Sequence, residues 1–237
     1  MTSSVPLDNR VALVTGAGGA IGQAIISALE DAGAVVVGAD LPGAAAVELD
    51  VRDDSSCRAA VDAVLAEHGR LDLLVNNAGV MLRATALETS ADDFAGVVDT
   101  NLTGTFRMSV AANAALAAGE PGVIVNVSST HAFLAARGAV AYAASKAGVS
   151  HLTRVLALEW AEQGIRVNAV APTVVPSAMT ADVLSDPAYI ERKFAAIPLG
   201  RPIEAAEVAA AVVYLAGPGA GSVTGHVLVL DGGESLA

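Results

Sequence analysis

The sequence predicts an α/β fold: a doubly wound, mostly parallel sheet with helices on both faces. Three observations lead there. Short apolar runs alternate with longer helical patterns along all 237 residues, and strand–helix alternation of this kind produces parallel neighbours joined by crossover helices. Apolar residues make up 54% of the chain and aromatics only 3%, a mix that suits a valine-rich buried sheet covered by alanine-rich helices. No repeat, low-complexity tract or linker divides the chain, so residues 1–237 read as one domain.

The strands are the short β-branched runs at 11–14, 34–39, 73–75, 123–127, 167–170 and 227–230. Helical patterns fill the intervals at 21–32, 55–68, 91–118, 142–163 and 204–216. The stretch from Pro172 to Pro198 interrupts the alternation and is the candidate mobile covering segment for a substrate, at about 174–198. Helices 91–118 and 142–163 are long and rich in small apolar residues. They are expected to pack across a two-fold axis as a four-helix interface, giving a homodimer or homotetramer.

Charge and composition narrow the partners. The formal charge is −12 with no run of Lys or Arg, which disfavours phosphate backbones and so nucleic acid. The single Cys57 excludes an intramolecular disulfide and fits a reducing compartment. Residues 1–10 lack the charged-then-apolar pattern of a signal peptide, and no uninterrupted apolar stretch reaches membrane-span length. The expectation is a cytoplasmic protein with a small-molecule substrate and no membrane partner.

The first strand runs into Thr15-Gly16-Ala17-Gly18-Gly19-Ala20-Ile21-Gly22, and a helical pattern follows at once. Glycines permit a tight turn and let the backbone approach a pyrophosphate, while the new helix presents free N–H groups and its positive dipole end. The second strand ends at Asp40, eighteen residues past Gly22. A carboxylate there accepts hydrogen bonds from adenine-ribose hydroxyls and repels a 2′-phosphate. Neither residue 19 nor residues 41–51 include Lys or Arg, so NAD is favoured over NADP.

Tyr142 and Lys146 stand four residues apart on a helical pattern and so share a face. A phenol titrates near 10, and a neighbouring ammonium joined by nicotinamide charge favours its anion. Ser129 lies thirteen residues earlier, just past an apolar run, and can sit at the carboxyl end of a strand. The same spacing recurs at Tyr189 and Lys193. That pair lies in the charged stretch Glu191-Arg192-Lys193 with no strand before it to deliver a serine, and reads as a solvated helix face.

Together these residues resemble the classical short-chain dehydrogenase/reductase family over nearly the whole chain. Thr15 to Gly22 is similar to its cofactor loop, Asn76-Asn77-Ala78-Gly79 to its signature after the fourth strand, and Ser129, Tyr142 and Lys146 to its catalytic core. Asn101, in Asp99-Thr100-Asn101-Leu102, falls where the family carries a fourth catalytic residue. Pro198-Leu199-Gly200-Arg201-Pro202, Thr224-Gly225-His226 and Asp231-Gly232-Gly233 match its usual ending.

The resemblance implies a Rossmann fold with a seven-stranded sheet and an NAD-dependent oxidoreductase acting on CH–OH groups. Tyr142 then exchanges a proton with the substrate oxygen, Lys146 holds the nicotinamide ribose, Ser129 holds the substrate oxygen, and Asn101 holds a water linked to Lys146. The cofactor set it implies is Gly16, Gly18, Ala20, Ile21, Gly22, Asp40, Asp50, Val51, Asn77, Ala78, Gly79, Tyr142, Lys146, Pro172, Val175 and Ser177. Asp50 and Val51 meet the adenine, and Val175 and Ser177 the carboxamide.

Three departures stand out. Ala20 replaces a glycine. Only nine residues separate Asp40 from Asp50, so the helix usual there is lost or reduced to a turn. Pro172-Thr173 replaces Pro-Gly, within a Pro-Thr-Val-Val sequence shared by several polyol and sugar reductases of the family.

The substrate pocket is expected from residues 80–83, 130–136 and 174–197, with His131 and Arg83 as polar contributors, although a solvent-facing His131 fits the sequence equally. His68, His151 and His226 are scattered at no metal-ligand spacing, so no metal is expected. The leading reading is an NAD-linked dehydrogenase of a small secondary alcohol such as a polyol or sugar alcohol. A 3-oxoacyl thioester reductase of the acyl-carrier-protein type is the alternative enzyme. A non-catalytic NAD-binding regulator is the third reading, and the complete Asn/Ser/Tyr/Lys set argues against it.

Overall fold

The chain folds around one seven-stranded sheet of order β3-β2-β1-β4-β5-β6-β7, with every strand pairing parallel. The computed structural model describes residues 7–118 and 122–237. Residues 1–6 of the N-terminal stretch read above for a signal pattern lie outside the described residues. The strands are β1 Val11–Thr15, β2 Val35–Asp40, β3 Val47–Glu48, β4 Leu73–Asn76, β5 Val123–Val127, β6 Arg166–Pro172 and β7 Val227–Leu230. β3 is a two-residue strand that the apolar pattern did not predict. It pairs Val47 and Glu48 with Ala39 and Asp40, and the segment before it is turn and bend, as the shortened Asp40–Asp50 interval implied.

Helices cover both faces. On one side α1 (Ala20–Asp31) packs Ile25 and Leu29 against Val208, Val212 and Leu215 of α8 (Ala205–Ala216). On the other, α2 (Asp54–His68), α4 (Gly104–Ala118) and α5 (Val140–Trp160) bury Val61, Val64, Met108, Leu116 and Leu156. Each such side chain contributes about 1.5–3 kcal/mol on burial. Local chemistry sets the ends: the Asp53 carboxylate accepts from Ser55 and Ser56 N–H to start α2, a cap worth about 1 kcal/mol.

The long helix expected at 91–118 is interrupted. α3 (Ala91–Val98) passes into one π-helical turn, Asp99–Thr103, before α4 begins. The 172–198 stretch is also more ordered than expected, carrying α6 (Ala181–Leu184) and α7 (Pro187–Ala195). Among the described residues no helix is long and apolar enough to cross a membrane.

Strand order reverses between β1 and β4, so the loops after these strands diverge and open a cleft at the carboxyl edge of the sheet.

Candidate active site

The glycine loop leaves β1 with Gly16 in the left-handed region at φ +66, where a Cβ would lie 2.8 Å from Ala78 Cα. A Cβ on Gly22 would come within 2.2 Å of Gly16 carbonyl oxygen, so this glycine serves the closure of the turn. Asn77 secures the same loop. Its Nδ2 donates to the Thr15 and Gly16 carbonyls at 3.1 and 2.9 Å, while Thr15 Oγ1 accepts from Asn77 and Ala78 N–H. Helix α1 begins at Gly19 with no side-chain cap and no acid in its first turn. An anion is the partner such a bare N-terminus suits.

A single cleft of about 480 Å³ runs from Asp40 past this N-terminus to Tyr142 and Lys146. Gly16, Ala20, Ile21, Asp40, Asp50, Val51, Asn77, Ala78, Gly79, Tyr142, Lys146 and Ser177 all line it. Four residues of the expected set do not. Gly22 packs inside the turn, and Gly18 uses its N–H on Asp40 Oδ2 at 2.8 Å rather than facing the cleft. Pro172 and Val175 line the adjoining pocket instead. Thr180 Oγ1 donates to the Val175 carbonyl at 2.7 Å, while the Val175 N–H meets no acceptor among the described residues.

Gly19 and Arg52 also line the cleft, although neither belongs to the expected cofactor set. The window free of basic residues ends at Val51, one position short of Arg52. That guanidinium is already held by Asp50, through Nε at 2.9 Å and Nη2 at 2.7 Å. Asp40 has its two oxygens on the Gly18 and Leu41 N–H groups, both at 2.8 Å, which fixes the carboxylate at the cleft wall.

Tyr142 and Lys146 line the other end of the cleft, Ser129 lines the adjoining pocket, and Asn101 is fully buried and lines neither. β5 delivers Ser129, and Ser128 Oγ fastens that strand end to α5 by donating to the Lys146 carbonyl at 3.1 Å. Tyr142 lies in the first turn of α5, anchored by a bridge between Ala84 and Ala139. Lys146, one turn on, is buried, and its Nζ donates to the Val127 carbonyl at 2.7 Å and lies 5.7 Å from the Tyr142 ring centre.

The π turn pushes Asn101 inward. Its side chain clamps Val80, accepting from the N–H at 2.8 Å and donating to the carbonyl at 2.9 Å, and also donates to Ser145 Oγ at 3.0 Å. Ser145 in turn donates to the Tyr142 carbonyl at 2.7 Å. Asn101 is thus bonded across elements, to the β4 loop and to α5, and not only within its own helix. A Cβ on Gly79 would lie 3.3 Å from Asn101 Oδ1, tighter than an ordinary contact, and 3.5 Å from Lys146 Nζ.

Burial raises the Tyr142 phenol above its ordinary value, opposed by the nearby Ser129 hydroxyl and the charge of Arg83. Desolvation lowers the Lys146 ammonium to about 8. In the protein alone burial dominates, and the lowering expected for the phenol calls for the nicotinamide charge as well as Lys146. Burial, and next the charge of Lys193, hold His131 below its ordinary value. Its ring meets Tyr142 edge-on at 5.7 Å.

A smaller pocket of about 90 Å³ adjoins Tyr142. Arg83 and His131 line it as the sequence suggested, and so do Tyr189 and Lys193. The second Tyr-x-x-x-Lys pair is therefore not on a solvated face. The 172–198 segment folds back over the site, turning the outer side of α7, with Glu191 and Arg192, to solvent and the opposite side inward. Lys193 is ion-paired with Glu234, the two side chains being 17% and 13% exposed. Glu234 also accepts from Thr173 Oγ1, so the threonine that departs from Pro-Gly has a definite partner.

Comparison with known proteins extends this picture. A family model described as enoyl-(acyl carrier protein) reductase matches residues 16–235. The D-threitol dehydrogenase of Mycolicibacterium smegmatis is 41% identical over 246 residues, covering 97% of this chain and 94% of that protein. The 3-oxoacyl-(acyl-carrier-protein) reductase of Vibrio harveyi is 36% identical, covering 96% and 98%. The crystal structure of a gluconate 5-dehydrogenase from Burkholderia cenocepacia, in complex with NADP and tartrate, aligns with a TM-score of 0.95 at 32% identity, covering 99% of this chain and 98% of that one.

Proposed function

The chain belongs to the classical short-chain dehydrogenase/reductase family, an oxidoreductase acting on CH–OH groups with a nicotinamide cofactor, and from that premise we propose that it is an NAD-linked dehydrogenase of a small polyol or sugar alcohol. One observation carries the reading: Tyr142 belongs at once to the wall of the long cleft and to that of the small pocket. A single phenol therefore stands where cofactor and substrate would meet.

A bound nicotinamide would supply the acceptor or donor of the hydride at the substrate carbon. The chain supplies the rest. Ser129 holds the substrate oxygen by a hydrogen bond, and Tyr142 takes the hydroxyl proton at its phenolic oxygen or gives it back. Lys146, with its ammonium buried beside the phenol, stabilises the anion and bonds the cofactor ribose. Asn101, clamped on Val80 and Ser145, keeps the Tyr142 turn in place and holds the water that leads from Lys146 to solvent. The Val175 N–H, without an acceptor among the described residues, and the Ser177 hydroxyl suit a carboxamide.

The NAD preference rests on Asp40, whose fixed carboxylate suits ribose hydroxyls. Arg52, neutralised by Asp50, offers no spare charge to a 2′-phosphate. The small pocket favours a short hydroxylated molecule over an acyl chain on a carrier protein. A cytoplasmic setting and one domain with its covering segment at 174–198 complete the reading. So does a dimer or tetramer, since Phe106 and Val110 of α4 and Leu158 of α5 are exposed apolar side chains on the helices expected to pair.

The test is NAD reduction against a panel of polyols, secondary alcohols and 3-hydroxyacyl thioesters, with wild type beside Tyr142→Phe. Loss of the proton-exchanging group is expected to cost about 10²–10⁴ in kcat. Turnover that survives in Tyr142→Phe would remove the mechanism.

A further inference from the structure

We propose that Lys193, held by Glu234, selects a neutral polyhydroxylated substrate over an anionic one by donating to a hydroxyl remote from the reacting carbon. The inference rests on the reading that Tyr142 exchanges the proton in this pocket.

The ammonium lines the same pocket as Ser129, His131 and Tyr142. It has three donors, and Glu234 is its only acceptor among the described residues. The others are available to a ligand. Glu234 is itself placed from three sides. Thr173, in the loop after β6, donates to it. Asp231 shapes the C-terminal turn that carries it by accepting from the Gly233 and Ser235 N–H groups at 2.9 and 2.8 Å. Lys193 reaches it from α7. A largely buried ion pair costs desolvation and is weak evidence for stability, so its place in a pocket wall points to recognition.

Charge then decides the class of ligand. The other pocket cation, Arg83, is likewise neutralised, by Asp182 at 2.9 Å. Held low by burial, His131 adds no positive charge near neutral pH. With both cations of this pocket matched by a carboxylate, a substrate carboxylate meets no uncompensated charge on its wall and faces Glu234 nearby. A hydroxyl meets free N–H donors. The chain has only two lysines: Lys193 lines this pocket and Lys146 the adjoining cleft.

The test compares kcat/KM for D-threitol and for the corresponding four-carbon acid, threonate, on the NAD-loaded enzyme. Wild type is expected to favour threitol at least about tenfold. Glu234→Gln, which leaves Lys193 unpaired, is expected to move that ratio toward threonate by a further tenfold or more. Lys193→Met is expected to lower threitol kcat/KM about ten- to hundredfold, the size of a hydrogen bond to a charged group, mainly through KM. Lys193→Arg, which keeps charge and donors, should recover most of the loss, whereas a merely structural defect would not be rescued.

An unchanged ratio in Glu234→Gln, or a wild type that prefers threonate, overturns the proposal. If wild type turns over neither compound, calorimetric titration of threitol into the enzyme–NAD complex decides. Binding that Lys193→Met abolishes supports the role of Lys193 while the catalytic reading fails, and no binding overturns both.

Discussion

Lys146→Met should abolish a gain in stability that the wild-type protein acquires between pH 7 and pH 9. Burial lowers the Lys146 ammonium from 10.5 to about 8, and each pKa unit is worth about 1.4 kcal/mol. The buried charge therefore costs the folded state roughly 3 kcal/mol at neutral pH. Removing it relieves that cost, but the Val127 carbonyl then loses its donor, which takes back about 1–3 kcal/mol. At one pH the two effects nearly cancel.

Their pH dependence does not cancel. The unfolded chain keeps the lysine proton until about 10.5, whereas the folded protein releases it above about 8. Between those values the unfolded state binds more protons, so wild-type stability rises with pH. From pH 7 to pH 9 the rise is roughly 1.3 kcal/mol, or about 3–5 °C in Tm for a chain of this length. Methionine contributes none of it.

The assay is thermal unfolding of both proteins without cofactor at pH 7, 8 and 9, read as the difference between their Tm values. Groups common to both proteins, such as Cys57 pushed by burial to about 11, drop out of that difference. A difference flat within about 1 °C would refute the reasoning, because the ammonium beside Tyr142 would then be solvated. The variant should also lose turnover.

Two further outcomes are expected. Asp40→Ser should raise kcat/KM with NADP relative to NAD by about ten- to hundredfold, since it removes charge-assisted bonds to the ribose and the repulsion of a 2′-phosphate; an unchanged ratio in steady-state assays with both cofactors would remove the Asp40 argument. Light scattering should give a dimer or tetramer, dissociated by Phe106→Glu with Leu158→Glu, because Leu158 is 81% exposed in the single chain and solvated apolar faces on paired helices call for cover. A monomeric wild type would contradict it.

Much of the site was legible because its signals are local. The glycine run could be placed between strand and helix from neighbouring residues alone, and Gly16, Ala20 and Ile21 do line the cleft. Spacing of four put Tyr142 and Lys146 on one side of a helix, and Asp40 at a strand end was enough to locate one wall. Even the missing helix after β2 followed from counting residues, although the two-residue β3 was too short to leave an apolar pattern.

What escaped the sequence depends on residues far apart in the chain. Spacing made Tyr189 and Lys193 a pair as surely as Tyr142 and Lys146, but could not say toward what the pair faces. That depends on the 172–198 segment folding back and on Glu234, forty-one residues further on, reaching Lys193. The π turn that swings Asn101 onto Val80 and Ser145, the Arg52–Asp50 pairing in the cleft, and Gly18 turned onto Asp40 are of the same kind. Periodicity along an element determines which side chains share a face. Only the packing of distant elements determines whether that face meets water, a cofactor or a substrate, because burial and charge pairing are properties of what lies opposite.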